Sequence, residues 1–373
     1  MPDKHALLSA SSAHRWLMCP PSVRLTERIP DTGSPYAAEG TCAHMLGETK
    51  VRRMLGQAVD DPTEDLIYYD QTMEEAAEGY AAFIGEIVAD IHKTCSDPLV
   101  MVEQQLNFTR WVPDGFGTAD CVIVGEGVLH VVDLKYGKLE VSAVGNPQMR
   151  LYALGALELY GDLYGVDEVQ MHIYQPRLEA VSSDTISVDD LLDWAENTLR
   201  PIAQLAYEGK GEQAAGEWCR FCKIRATCRK RADEALKMTR YDFQLPPTLR
   251  DDEIAGILDQ LDELTSWAET LREYALQAAL RGKEFPGWKV VAGRANRKFT
   301  DENAVAAAVM AAGGDPYEKK LLGISAMERM LGKKKFSELL DGLVERPEGK
   351  PTLVHDTDKR PEMKMTAKQD FAD

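Results

Sequence analysis

Two short apolar runs of this chain each deliver an acid, and the second delivers a lysine as well. Gly117-Thr118-Ala119-Asp120 leads into Cys121-Val122-Ile123-Val124, and Leu129-His130-Val131-Val132-Asp133-Leu134-Lys135 follows shortly after. Residues two apart on a strand project to the same face. Asp133 and Lys135 are therefore expected to look into one cavity. Residues 125–127 suit a tight hairpin, which would bring Asp120 alongside from the neighbouring strand. Two carboxylates and a lysine held together suit metal-assisted attack of water on a phosphodiester. The carboxylates hold a hard divalent ion, which polarises the phosphate and makes water more acidic. The lysine orients that water or neutralises charge in the transition state. Asp-x-Lys alone more often marks a solvated surface pair. Val131, Val132 and the Gly-x-x-Asp step one strand earlier weigh against that here.

A second cluster involves sulfur. Three of the seven cysteines fall in Trp218-Cys219-Arg220-Phe221-Cys222-Lys223-Ile224-Arg225-Ala226-Thr227-Cys228. Such spacing occurs in zinc knuckles, redox sites and iron-sulfur sites. A four-ligand site needs one more donor, and no cysteine follows Cys228. Cys19, in a polar and proline-rich surround, is the best upstream candidate. Cys42, Cys95 and Cys121 sit in apolar helix or strand contexts, where small buried thiols are common. Joining Cys19 to Cys219 would clasp segments two hundred residues apart and couple metal binding to folding.

The elements that must position these groups alternate helix and strand. Residues 7–28 read as a short helical element, with Trp16 and Cys19 before a Pro-Pro break, and 36–55 and 72–93 as helices. Thr72 and Glu75 make a capping-box pattern for the second of these. Residues 99–108, 119–124, 128–135 and 168–174 read as strands, with helices over 147–160 and 189–208. The pattern predicts an α/β mixed sheet flanked by helices. Residues 241–250, with Pro246-Pro247, read as a linker. Beyond it lie a strong helix over 251–281 and short helices over 301–312 and 324–342. A basic segment carries Arg294, Arg297 and Lys298, and residues 351–373 form a polar tail.

The chain has 373 residues, and its 43 Lys and Arg against 61 Asp and Glu give a formal net charge of −18. That excludes a broad non-specific coat for nucleic acid, whose backbone affinity is largely cationic. It leaves room for a local basic groove. No apolar run approaches a membrane span, and the N-terminus lacks the apolar stretch of a signal peptide. The expectation is a cytoplasmic protein without membrane contact.

With Asp120, Asp133, Lys135 and the cysteines in place, the sequence resembles the RecB-like branch of the PD-(D/E)xK nuclease superfamily. More narrowly, it is similar to the phage- and prophage-encoded members with an AddB-type iron-sulfur cluster. Ala38-Glu39-Gly40-Thr41-Cys42-Ala43-His44 resembles the family's glycine-then-histidine helix. Val102-Glu103-Gln104 resembles its first core strand, and Gln148-Met149-Arg150-Leu151-Tyr152 its Gln-x-x-x-Tyr helix. The Pro-Asp of the superfamily's name is absent before Asp120. The resemblance covers roughly residues 8–232.

The resemblance implies a restriction-endonuclease-like domain over 1–240, and the residues beyond the linker, outside the resemblance, read as a mainly helical accessory region over 251–350. It implies Mg2+ or Mn2+ on His44, Asp120 and Asp133 with the Leu134 carbonyl, and Glu103 near the metal. Lys135 would orient water, and Gln148 and Tyr152 would meet the DNA near the scissile phosphate. Cys19, Cys219, Cys222 and Cys228 would hold a [4Fe-4S] cluster. Arg220, Lys223, Arg225, Arg229, Lys230 and Arg231 would give DNA a local track. The implied activity is exonucleolytic, with DNA and a phage single-strand-binding or recombination protein as partners. The rivals are a non-catalytic DNA-binding or assembly module of the same fold and an endonuclease for flaps or branches.

Overall fold

Pro20 and Pro21 break the N-terminal helical segment into α1 (Ala13–Met18) and α2 (Ser22–Thr26), with Cys19 in the break. The computed structural model describes residues 6–31, 33–125, 127–236, 251–291, 301–311, 316–317, 322–340 and 342–344. The expected linker 241–250, the tail 351–373 and the Arg294, Arg297 and Lys298 segment lie outside the described residues.

Helix α3 (Pro35–Met54) starts where Ser34 accepts the Ala37 N–H, with Pro35 at the first helical position. Helix α4 (Gln71–Ile91) is capped by Asp70, which accepts the Met73 N–H at 2.8 Å. Thr72, expected as the cap, lies inside the first turn. Asp70 takes the role because its extended backbone lets the carboxylate fold back on that N–H.

Five strands follow: β1 (Leu99–Asn107), β2 (Phe116–Val124), β3 (Val128–Leu134), β4 (Glu168–Gln175) and β5 (Ala180–Ser187). They lie in that order in one sheet. Pairing is antiparallel except between β3 and β4, which run parallel and are joined through α5 (Pro147–Tyr164). The mixed sheet is as expected, with one strand more than the sequence reading held. β5 escapes that reading because Ser182, Ser183 and Asp184 make it look like a loop. At the sheet edge its partly covered and exposed residues simply alternate.

Both faces of the sheet are covered. Val122, Val124, Leu129, Val131, Val169 and Met171 pack with Met149, Ala153 and Leu154 of α5. Cys121, Ile123, Val132 and Leu134 pack on the other side with Val51 of α3 and Tyr80 and Ile84 of α4. After β5 come α6 (Val188–Trp194), a π-helical turn (Ala195–Leu199), α7 (Arg200–Glu208) and α8 (Arg229–Ala235). Helix α9 spans Asp251–Leu280.

The chain divides into two compact units, Met1–Ala275 and Leu276–Asp373. The first holds the sheet and every candidate site residue. The second contains α10 (Glu302–Ala311), α11 (Ile324–Leu331) and α12 (Lys333–Leu339). The single helix expected over 324–342 is split at Gly332, whose φ of 77° interrupts the helical backbone. No helix of the described residues is long and apolar enough to cross a membrane.

Candidate active site

The register of β1 on β2 pairs Val102 with Cys121 and Gln104 with Ala119, so Glu103 falls opposite Asp120. Glu103 has a φ of 53°, a left-handed conformation that costs a side chain with a Cβ and is retained where the surroundings enforce it. From α3, His44 brings Nδ1 to 3.1 Å from Asp120 Oδ1. The other oxygen of Asp120 accepts the Leu134 N–H at 2.7 Å. Ligand atoms of His44, Glu103 and Asp120 all lie within 4.8 Å of one another. Donors around one divalent ion stand about 3–5 Å apart at ordinary bond lengths, so these three can share an ion.

Beside this trio, Lys135 Nζ stands 2.7 Å from Asp133 Oδ2. Asp133 is the last residue but one of β3 and Lys135 follows the strand's end, two residues apart. The Lys135 ammonium is thus the ion-pair partner of the buried Asp133 Oδ2. Helix α5 begins where Asn146 accepts the Gln148 N–H at 3.0 Å. One turn of helix then lets Gln148 Nε2 donate to Asp133 Oδ1 at 3.1 Å and to Tyr152 Oη at 3.2 Å. Gly117 admits the Tyr152 ring, since a Cβ there would stand 2.9 Å from Tyr152 Cε1.

The electrostatics are those of buried acids set close to one another and to two cationic groups. The Asp120 carboxylate, opposed by burial, raises His44 to about 9. Burial also pushes the Asp120 carboxyl up, but His44 and Lys135 outweigh it and the net direction is down. Glu103 rises to about 7 through burial, then through Asp120 and Glu48. Asp133 is raised by burial, with Lys135 pulling the other way and Asp120 adding to the rise. Carboxyls driven up by burial and mutual repulsion relax when a divalent ion binds.

Two supports had no local signal in the sequence. Arg177, in the turn Pro176–Leu178, bonds both carboxylate oxygens of Glu39 on α3. Its guanidinium carbon lies 4.0 Å from the ring centre of Tyr136, the residue after Lys135. Arg177 thus ties the helix of His44 to the loop that follows Lys135. Gln175, fully covered, accepts the Val141 N–H at 2.8 Å and donates to Leu139 O at 2.7 Å. It pins the loop between Lys135 and α5.

Cys19, Cys219, Cys222 and Cys228 line one cavity together with Arg15 and Trp218. Burial raises the Cys219 and Cys222 thiols, and neighbouring thiols add to the rise. All seven cysteines are free thiols. Cys42 and Cys121 are packed in apolar clusters, whereas Cys95 lies in the turn after α4 rather than in a helix or strand. Of the expected basic track, Arg220, Lys223, Arg225, Arg229 and Lys230 are exposed. Arg231 is not part of it. It is buried, with Nε donating to Glu263 at 2.8 Å and a second nitrogen to Ser266 at 3.3 Å. A buried guanidinium needs such partners, and α9 supplies them.

Residues 5–361 match the family described as "Protein of unknown function (DUF2800)", and the chain belongs to it. Among solved structures, it is similar to a Eubacterium rectale protein described provisionally as an exonuclease. That likeness has 16% identity and a TM-score of 0.34, covering 58% of this chain and 86% of the other. It is also similar to an alkaline exonuclease from Laribacter hongkongensis, with 13% identity and a TM-score of 0.24, covering 53% of this chain and 92% of the other.

Proposed function

We propose that this protein is a metal-dependent DNA nuclease of the RecB-like PD-(D/E)xK kind, acting on DNA ends. The convergence of His44, Glu103 and Asp120, with Lys135 over Asp133 beside them, carries the reading. The trio would hold Mg2+ or Mn2+, joined by Asp133 and by the Leu134 carbonyl. The carboxylate and carbonyl oxygens suit these hard ions. When bound, the ion supplies Lewis-acid polarisation of the phosphate and acidifies the attacking water. Lys135 orients that water and neutralises charge growing on the phosphate. Leu134 N–H holds Asp120 in place. Gln148 and Tyr152, joined to each other and to Asp133, position the nucleotide beside the acids. The exposed cations between Arg220 and Lys230 guide the strand.

We assign the four-thiol cavity to a [4Fe-4S] cluster on Cys19, Cys219, Cys222 and Cys228, as the sequence resemblance implies, with zinc on the same ligands as the competing occupant. Either group would supply a clasp between the end of α1 and the loop before α8, and hydrolysis asks no electron of it. A role in phage DNA recombination or processing, with a phage single-strand-binding or recombination protein as partner, rests on the sequence resemblance alone.

Labelled linear DNA and covalently closed circles, each incubated with Mg2+ or Mn2+, test the function. Loss of linear DNA with circles spared is the expected result. Cleavage of circles would make the enzyme an endonuclease. No cleavage of either by metal-loaded protein overturns the proposal.

A further inference from the structure

We infer that Phe221 and Tyr36 form a stacking track that takes single-stranded nucleic acid from the cysteine loop towards His44. The inference rests on the nucleic-acid reading above and adds the strandedness of the substrate. Phe221 is 76% exposed, although Cys219 and Cys222 on either side of it are buried. It ends a short helical turn, Glu217–Phe221, whose backbone is held firmly. Cys219 N–H bonds Gly216 O at 2.9 Å, Cys222 N–H bonds Cys219 O at 3.0 Å, and Arg225 N–H bonds Cys222 O at 3.0 Å. The turn therefore presents an apolar ring to water on a firm support. Arg220, Lys223 and Arg225, all exposed, flank that ring in a chain of net charge −18.

The loop also has a direction. Lys223 donates to Ile29 O at 2.9 Å, and its Nζ lies 3.9 Å from Asp31. The Phe221 loop thus rests against the segment that leads into α3. Tyr36, 82% exposed, sits in the first turn of α3. His44 follows eight residues later on the same helix, about 12 Å along its axis. Aromatic faces accept any base, and neighbouring cations hold the backbone, which is how single strands are bound without regard to sequence. A base inside a duplex has both faces occupied by its neighbours. A strand that uses Phe221 and Tyr36 must therefore arrive unpaired.

The full-length protein, without added divalent metal, is titrated into fluorescein-labelled oligo-dT and into its duplex with oligo-dA, with anisotropy as the readout. Wild type should prefer oligo-dT. Phe221→Ala and Tyr36→Ala should each weaken that binding about 10-fold, the scale of one base stacked on an aromatic ring. The slope of log affinity against log salt should stay unchanged, because no charge is removed. Phe221→Trp should restore affinity, and Phe221→Leu should not. Wild-type affinity in both alanine variants, equal losses on duplex, or full affinity in Phe221→Leu would each overturn the track. Phe221→Leu and Phe221→Trp keep the test decisive if an alanine variant fails to fold. Cleavage of linear DNA with Mn2+ is measured separately. Cleavage without ring-dependent binding removes the track and leaves the nuclease, and ring-dependent binding without cleavage does the reverse.

Discussion

His44 and Asp120 meet at 3.1 Å across 76 residues of chain, and their contact joins α3 to β2 at the edge of a group that can hold an ion. One oxygen of Asp120 is committed to the Leu134 N–H and the other to the imidazole. The carboxylate thereby fixes the helix against the sheet. Glu103, opposite on β1, completes the trio, and Asp133 with Lys135 lies alongside.

Removing any of these groups should be felt in the chemistry. Asp120→Ala, Asp133→Ala and Lys135→Ala should each lower the rate of DNA cleavage by at least about 100-fold. Glu103→Gln should raise the Mn2+ concentration needed for half-maximal rate. Single-turnover cleavage of labelled linear DNA measures both. Turnover equal to wild type in the Asp133 and Lys135 variants would remove them from the mechanism, and activity that survives a chelator would remove the metal.

Gly117→Ala tests how closely α5 approaches β2. The new methyl would stand 2.9 Å from the Tyr152 ring, and the ring must shift, taking the Gln148 partner with it. The expected cost is about 1–3 kcal/mol, the scale of overpacking in a tight interior. Urea denaturation reads the stability and cleavage assays read the misplacement. An unchanged unfolding midpoint together with an unchanged rate would show that the ring moves freely.

Acid stability should report His130. This imidazole is buried, stacks on His172, and is brought down from 6.5 to about 4 by burial and then by its neighbour. The unfolded chain takes up the proton near 6.5, whereas the folded form resists it until about 4. Stability contributed by the neutral ring is present above 6.5 and is lost as pH falls through that window. The loss should be on the order of 3 kcal/mol at its acid end. His130→Gln should flatten the profile between those limits. Denaturant midpoints measured across the window check it, and parallel wild-type and variant profiles would refute it.

The cysteine cavity predicts a stoichiometry. Protein purified without oxygen should carry close to four irons and four labile sulfides per chain. One zinc and no sulfide would replace the cluster with a zinc clasp. Cys19→Ser should lower both metal content and folding stability, because it opens the link between the two ends of the domain. Cys95→Ser, in the turn after α4, should leave metal content alone.

Local spacing made several of these relationships legible before any fold was known. The two-residue step from Asp133 to Lys135 brings the two together at the end of β3, because side-chain direction in a strand alternates. The four-residue step from Gln148 to Tyr152 sets both on one face of α5, because a helix turns every 3.6 residues. Gly125 and Gly127 set β2 against β3 as a hairpin. Pro20 and Pro21 set the break that holds Cys19. Only the tertiary structure decided which distant groups meet. The opposition of Glu103 and Asp120 depends on strand register, and the φ of Glu103 depends on its surroundings. Arg177 finds Glu39 at a separation of 138 residues, and Arg231 leaves the surface only because α9 brings Glu263 to it. β5 forms from residues with weak strand preference because the exposed edge of β4 offers them a ladder. Backbone geometry encodes contacts within a strand or a helix turn in neighbouring residues. Contacts between elements arise from packing and burial, which the whole chain settles at once.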